Sequence, residues 1–155
     1  MAIVAADYIK PAKKLGLNTT PTVVGPEAAS ETFKKGAVLV PSAGYLSEAG
    51  ADPTNILGVA LEDGNNGAAG ANEIGYCPAL PGQVFEGVIG AASAIAQTDL
   101  FTKYGLAQDG GTGVWYIDTS ETTTVSVVII GFKDPVGTTN GKVYFVFIAD
   151  GRFID

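Results

Sequence analysis

The sequence contains no histidine and a single cysteine, Cys77. Without histidine the chain cannot form Ser-His-Asp or Cys-His arrangements, in which an imidazole takes the proton of the nucleophile. Histidine-containing zinc sites are excluded too, and one thiolate cannot form a cysteine cage. A Ser-Lys pair or a carboxylate pair stays open, but no spacing among the 16 acidic residues singles one out. We therefore predict that the protein is not an enzyme and holds no metal or cofactor.

The lone thiol also cannot form an internal disulfide, which favours a protein matured in a reducing compartment. A reactive thiolate needs a nearby cation or helix N-terminus to lower its pKa. The neighbours of Cys77 are Tyr76, Pro78, Ala79 and Leu80, which supply neither. We expect Cys77 to be a small buried hydrophobe.

Charge is scarce, at 16% of residues, and its balance is acidic, with a net charge of −7. Binding to a phosphate backbone rests mainly on clustered Lys and Arg, so nucleic acid is not expected as a partner. No apolar run approaches the roughly 20 residues of a membrane span, and no secretory signal is indicated, because the first lysines follow the apolar residues. We expect a soluble chain without a membrane partner, whose surface of small residues suits close assembly.

Glycine (21 residues) and proline (8) interrupt the chain at short intervals, which is typical of many short strands joined by turns. β-branched and aromatic residues predict strands at 113–119, 122–132 and 142–150, and shorter ones at 37–40, 45–48, 56–62, 73–76 and 83–89. Asn140-Gly141 predicts a hairpin between the last two strands. Residues 91–105 are either a short helix ending at Gly105 or a loop with one helical turn. The prediction is one all-β domain over residues 31–155, a barrel or a sandwich.

Residues 1–30 are interrupted by Pro11, Pro21 and Pro26 but keep several apolar side chains. They predict an extended arm that docks on a neighbouring subunit, with a frayed terminus as the alternative. The candidate interface residues are Ile3, Val4, Tyr8, Ile9 and Lys10.

Three further motifs are weighed against simple turns or core positions. Gly137–Lys142 lacks the spacing and the Ser or Thr of a phosphate-binding loop, and predicts a hairpin turn. The acidic loops at 63–67 and 109–111 lack the spacing of a calcium-binding loop and predict turns. Trp115, Tyr116 and Tyr144 are candidates for an exposed stacking surface, which would indicate a carbohydrate- or receptor-binding module.

Three runs of the sequence carry a family resemblance: FKKGAVLVPSAGYLSEAGADPTNILGVALEDGNNG, CPALPGQVFEGVI and DLFTKYGLAQDGGTGVWYID. In this order, across about residues 31–118, they resemble the head decoration or cement proteins of tailed bacteriophages.

The resemblance implies a small β-rich structural virion protein without catalytic residues, located on the capsid surface after assembly in the host cytoplasm. Such proteins, often homotrimers, bridge neighbouring major capsid proteins and stabilise the expanded shell, since contacts made only in one state favour that state. Extended termini in such families often lie on adjacent subunits, which would give the apolar residues of the arm a role.

Overall fold

The structure, a computed structural model, describes residues 2–12 and 21–154. Its regular secondary structure within these residues is almost entirely β, in agreement with the sequence prediction, and of the two predicted architectures the structure has the sandwich-like one, a pair of antiparallel sheets. The strands are β1 (Lys10–Pro11), β2 (Val23–Pro26), β3 (Val38–Ser42), β4 (Tyr45–Glu48), β5 (Gly58–Ala60), β6 (Glu73–Pro78), β7 (Val84–Val88), β8 (Lys103–Gln108), β9 (Trp115–Asp118), β10 (Val127–Phe132) and β11 (Lys142–Phe147).

Sheet A has the strand order β1-β7-β11-β10-β8-β9, and sheet B has the order β2-β6-β5-β3-β4. Along β11, alternate side chains face the core, so that Val143, Phe145 and Phe147 are buried. Tyr144 and Val146 belong to a smaller cluster on the other face. Both faces of this strand are therefore apolar and largely covered.

The main hydrophobic core contains residues from both sheets. On sheet A, Phe85, Phe145 and Phe147 pack with ring centroids 5.1 to 5.9 Å apart, two of the three pairs edge to face. Sheet B contributes mainly aliphatic side chains, including Leu39 and Val59. Aromatic rings in this arrangement stabilise a core beyond the area that they bury.

The predicted helix at 91–105 is not formed. A single 3₁₀ turn spans Gln97–Asp99, and the Asp99 carboxylate accepts hydrogen bonds from the Ala96 N–H and the Tyr104 hydroxyl. Phe101 has a φ of 63° and donates its N–H to Ile129, so the backbone leaves the turn and enters β8. The alternative of a loop with one helical turn therefore describes residues 91–102, and the residues from Lys103 onward form β8 because they pair with neighbouring strands. The other 3₁₀ turn of the described residues is Ala5–Asp7, and neither turn is long and apolar enough to cross a membrane.

The hairpin between β10 and β11 is confirmed. Asn140 has the positive φ, 49°, that an Asn-Gly turn requires, but the glycine of this turn with a positive φ is Gly137 at 95° and not Gly141. The phosphate-loop motif is thus the turn of a hairpin.

Part of the N-terminal segment pairs with both sheets. β1 pairs with β7 at the edge of sheet A, and β2 pairs with β6 at the edge of sheet B. Whether residues 1–30 act as an arm toward another subunit stays a prediction, and residues 13–20 lie outside the described part of the chain.

Candidate interaction surfaces

A pocket of about 250 Å³, here called the Tyr8 pocket, lies between the N-terminal segment and the end of β5 in sheet B. Its apolar surface comes from the N-terminal segment and from the end of β5, and two lysines stand beside it. Its lining residues are Tyr8, Ile9, Lys10, Pro11, Lys35, Ala60 and Leu61.

The position of Tyr8 depends on close packing against Gly36. Gly36 has a φ of 89°, and a Cβ there would lie 2.6 Å from the Tyr8 Cβ and about 3.0 Å from the Ile9 backbone. The Gly36 N–H donates to the Ala60 carbonyl, which fixes this turn on β5. Only glycine meets both requirements, because a side chain would be strained and would displace the N-terminal segment.

Both lysines of the pocket point at the Tyr8 ring. The Lys35 Nζ lies 5.3 Å from the ring centroid and the Lys10 Nζ lies 5.8 Å from it, within the range of cation–π attraction. Lys10 is also 3.6 Å from the buried Glu86 carboxylate, which accepts a 2.9 Å hydrogen bond from Lys133. That hydrogen bond is the main cause of the raised pKa of Lys133. Glu86 therefore balances Lys133 and, of the two lysines that line the pocket, only Lys10.

A second concavity, here called the Val24 groove, has a volume of about 470 Å³ and lies between β2 and β4. Most of its surface is aromatic, proline or aliphatic. Val24 and Phe153 remain 56% and 55% exposed at its rim. The lining residues are Val24, Gly25, Pro26, Pro41, Gly44, Tyr45, Leu46, Leu57, Tyr76 and Phe153.

The stacking surface expected from Trp115, Tyr116 and Tyr144 is not formed, because Trp115 and Tyr144 are buried. The indole N–H of Trp115 donates to the Glu48 carboxylate at 3.0 Å, and Gln108 donates to the same oxygen at 2.7 Å. Trp115 and Gln108 belong to sheet A and Glu48 to sheet B, so this carboxylate joins the two sheets. A pocket of about 290 Å³ beside Trp115 is lined partly by the small residues 49–51.

Cys77 is fully buried, and burial raises the pKa of its thiol to about 12. A thiol in this state is inert near neutral pH, which agrees with the structural role predicted for it.

The acidic loops close turns, as expected: Asp109 accepts hydrogen bonds from the Thr112 N–H and hydroxyl, and Asp63 accepts one from the Lys35 N–H. Among the described residues, no three His, Cys, Asp or Glu side chains are grouped to hold a metal ion.

The five candidate interface residues fall into two groups. Ile3 and Ile9 are buried within the chain, Ile3 against Val88 and Val114. Val4 is exposed, whereas Tyr8 and Lys10 are half-buried at the Tyr8 pocket. Their role as an interface stays a prediction.

Sequence reasoning missed several residues of these surfaces. Lys35 is not among the candidate interface residues, although the Lys34-Lys35 pair directly before Gly36 marks a local concentration of positive charge. Phe153 and Val24 come from opposite ends of the chain and have no shared sequence signal.

Neither protein-family models nor curated proteins give a match to this chain. Among solved structures, the N base of the head fiber protein gp8.5 of bacteriophage phi29 is similar in fold, with a TM-score of 0.50 and 18% sequence identity. The similarity covers 84% of this chain and 98% of that one. This chain therefore shares the fold of the head fiber base.

Proposed function

We propose that the chain is a structural bacteriophage virion protein that binds the outer surface of the capsid and bridges neighbouring major capsid proteins. The observation that carries the proposal is the fold shared with the phi29 head fiber base across nearly all of that chain. The resemblance of residues 31–118 to phage decoration proteins supports the proposal independently, because it rests on the order of sequence segments and not on the fold.

Bridging requires at least two contact surfaces on one molecule. The Tyr8 pocket and the Val24 groove share no lining residue, and they differ in chemistry. One combines apolar side chains with two lysines, and the other is aromatic and uncharged. Two such surfaces suit two different neighbours in a shell, and no enzymatic step is part of this function.

Binding to the expanded shell would stabilise that state by mass action, by about 2.7 kcal/mol per site at a free concentration one hundred times the Kd. The proposal includes a homotrimer on the virion surface, assembled in the host cytoplasm.

Cosedimentation with undecorated shells tests the proposal. The purified chain is mixed with expanded shells of its phage, with unexpanded shells and with soluble major capsid protein. We expect it to pellet with expanded shells only, and to raise the temperature at which they disrupt. A chain that stays in the supernatant with all three overturns the proposed function.

A further inference from the structure

We propose that the Tyr8 pocket receives an acidic segment of the shell protein, with carboxylates beside Lys10 and Lys35 and an apolar side chain against Tyr8, Pro11 and Leu61. This inference rests on the proposed function, because the shell protein is the partner. It adds the chemistry that the partner must present.

The distribution of charge along the chain is the first reason. Residues 1–35 contain five lysines and three acidic residues, a net charge of +2. Residues 36–155 contain four basic and thirteen acidic residues, a net charge of −9. Lys10 and Lys35, the two charged residues that line the Tyr8 pocket, thus belong to the net-positive part of a sequence whose remainder is strongly negative.

The second reason is the state of the lysines. Lys34 pairs with Asp63 at 3.7 Å, and Lys10 shares Glu86 with Lys133. Within the described part of the chain, no carboxylate lies within 4.0 Å of the Lys35 Nζ, which is held over the Tyr8 ring instead. Two ammonium groups over one ring raise the local potential, and an incoming carboxylate would lower it.

The apolar lining of the pocket favours one kind of anionic partner, an acidic peptide segment. Ile9, Pro11, Ala60 and Leu61 form an apolar floor of the kind that a peptide side chain fills. A nucleic acid would extend past the pocket onto the acidic remainder of the chain, where repulsion opposes it, whereas a short acidic segment can contact the two lysines alone. An acidic segment of a different protein fits the floor and the lysines together.

The test compares Lys35→Gln with Lys103→Gln in shell binding at several salt concentrations. Both lysines are exposed and both changes remove one charge, but Lys103 is on β8 and does not line the pocket. We expect Lys35→Gln to weaken binding by about two- to fivefold, Lys35→Glu to weaken it further, and the salt dependence to become shallower. Lys103→Gln should bind like the wild-type chain.

Each outcome has a separate meaning. Equal binding by wild type, Lys35→Gln and Lys103→Gln overturns the acidic-segment proposal and leaves the proposed function standing. Failure of the wild-type chain to bind removes the proposed function and this inference with it. If Lys35→Gln instead changes the sedimentation of the isolated chain, the occupant is a second copy and the proposal is wrong. Thermal unfolding of each variant confirms that it is folded.

Discussion

The centre of sheet A and the β2–β4 region of sheet B use apolar side chains in opposite ways. In sheet A, Phe85, Phe145 and Phe147 are almost completely buried and pack on one another. At the Val24 groove, Val24 and Phe153 keep more than half of their surface exposed. Folding thus gains most from the first region, whereas the apolar surface of the second remains available for contact. The chain has one region built for stability and one suited to association.

The sharpest test of this difference is one chemical change made in both places. Phe145→Ala should lower the free energy of unfolding by about 3–5 kcal/mol, because it removes a fully buried ring that packs against Phe85 and Phe147 and leaves a cavity. Phe153→Ala should change it by no more than about 0.5 kcal/mol, since the side chain is largely exposed. Urea unfolding followed by circular dichroism measures both. Similar losses in the two variants would place Phe153 in the core and erase the distinction.

The contact between Glu48 of sheet B and Trp115 of sheet A, which joins the two sheets, has the next largest expected effect. Glu48→Ala would leave the buried indole N–H of Trp115 without its acceptor, at a cost of about 1–3 kcal/mol. Glu48→Gln keeps an acceptor oxygen and should recover most of that loss. The fluorescence of Trp115, the one tryptophan of the chain, follows the unfolding directly. If the glutamine variant is as unstable as the alanine variant, an acceptor oxygen alone does not hold the sheets together.

How far the sequence predicts this molecule depends on whether a signal is local. The strands β3 and β4 and the β10–β11 hairpin were predicted because turn residues and β-branched runs lie next to each other in the chain. The segment leading into β8 was given a helix as one alternative, since its alanines and Gly105 carry a helical signal that pairing with β9 and β10 overrides. Propensity is a weak guide wherever tertiary contacts decide.

The candidate surfaces show the same limit. Tyr8, Ile9 and Lys10 were selected as apolar and basic residues of one short segment, and the structure places all three at the Tyr8 pocket. Lys35 and Leu61 join that pocket only through the turn at Gly36 and the end of β5. Similarly, the Val24 groove forms only where β2 lies close to Phe153, and no local sequence pattern predicts that contact.

The core of sheet B can be examined separately through pH. Burial raises the pKa of Cys77 from 9.0 to about 12, so its thiol keeps its proton in the folded state while the unfolded chain loses it above pH 9. The stabilisation is complete below pH 9 and falls as the pH rises toward 12, by at most about 1.4 kcal/mol per pH unit.

Cys77→Ala should therefore show a shallower loss of stability between pH 8 and 10 than the wild-type chain, measured by urea unfolding at each pH. Tyr104, whose pKa burial also raises to about 12, has an ordinary value of 10.0 and contributes mainly above this interval. Parallel pH profiles for wild type and Cys77→Ala would contradict the assignment of this alkaline loss to the thiol.

The smallest effect on folding should accompany a clear effect on association. Phe153→Ser removes an exposed ring from the Val24 groove, and Phe101→Ser removes one that is 73% exposed but does not line the groove. Both should keep the free energy of unfolding within about 0.5 kcal/mol of the wild-type value. In cosedimentation with expanded shells, Phe153→Ser should bind more weakly and Phe101→Ser should bind normally, because buried aromatic anchors dominate protein interfaces. Equal loss in both variants would mean that shell contact is not localised to the groove, and unchanged binding in both would remove the groove from the interface.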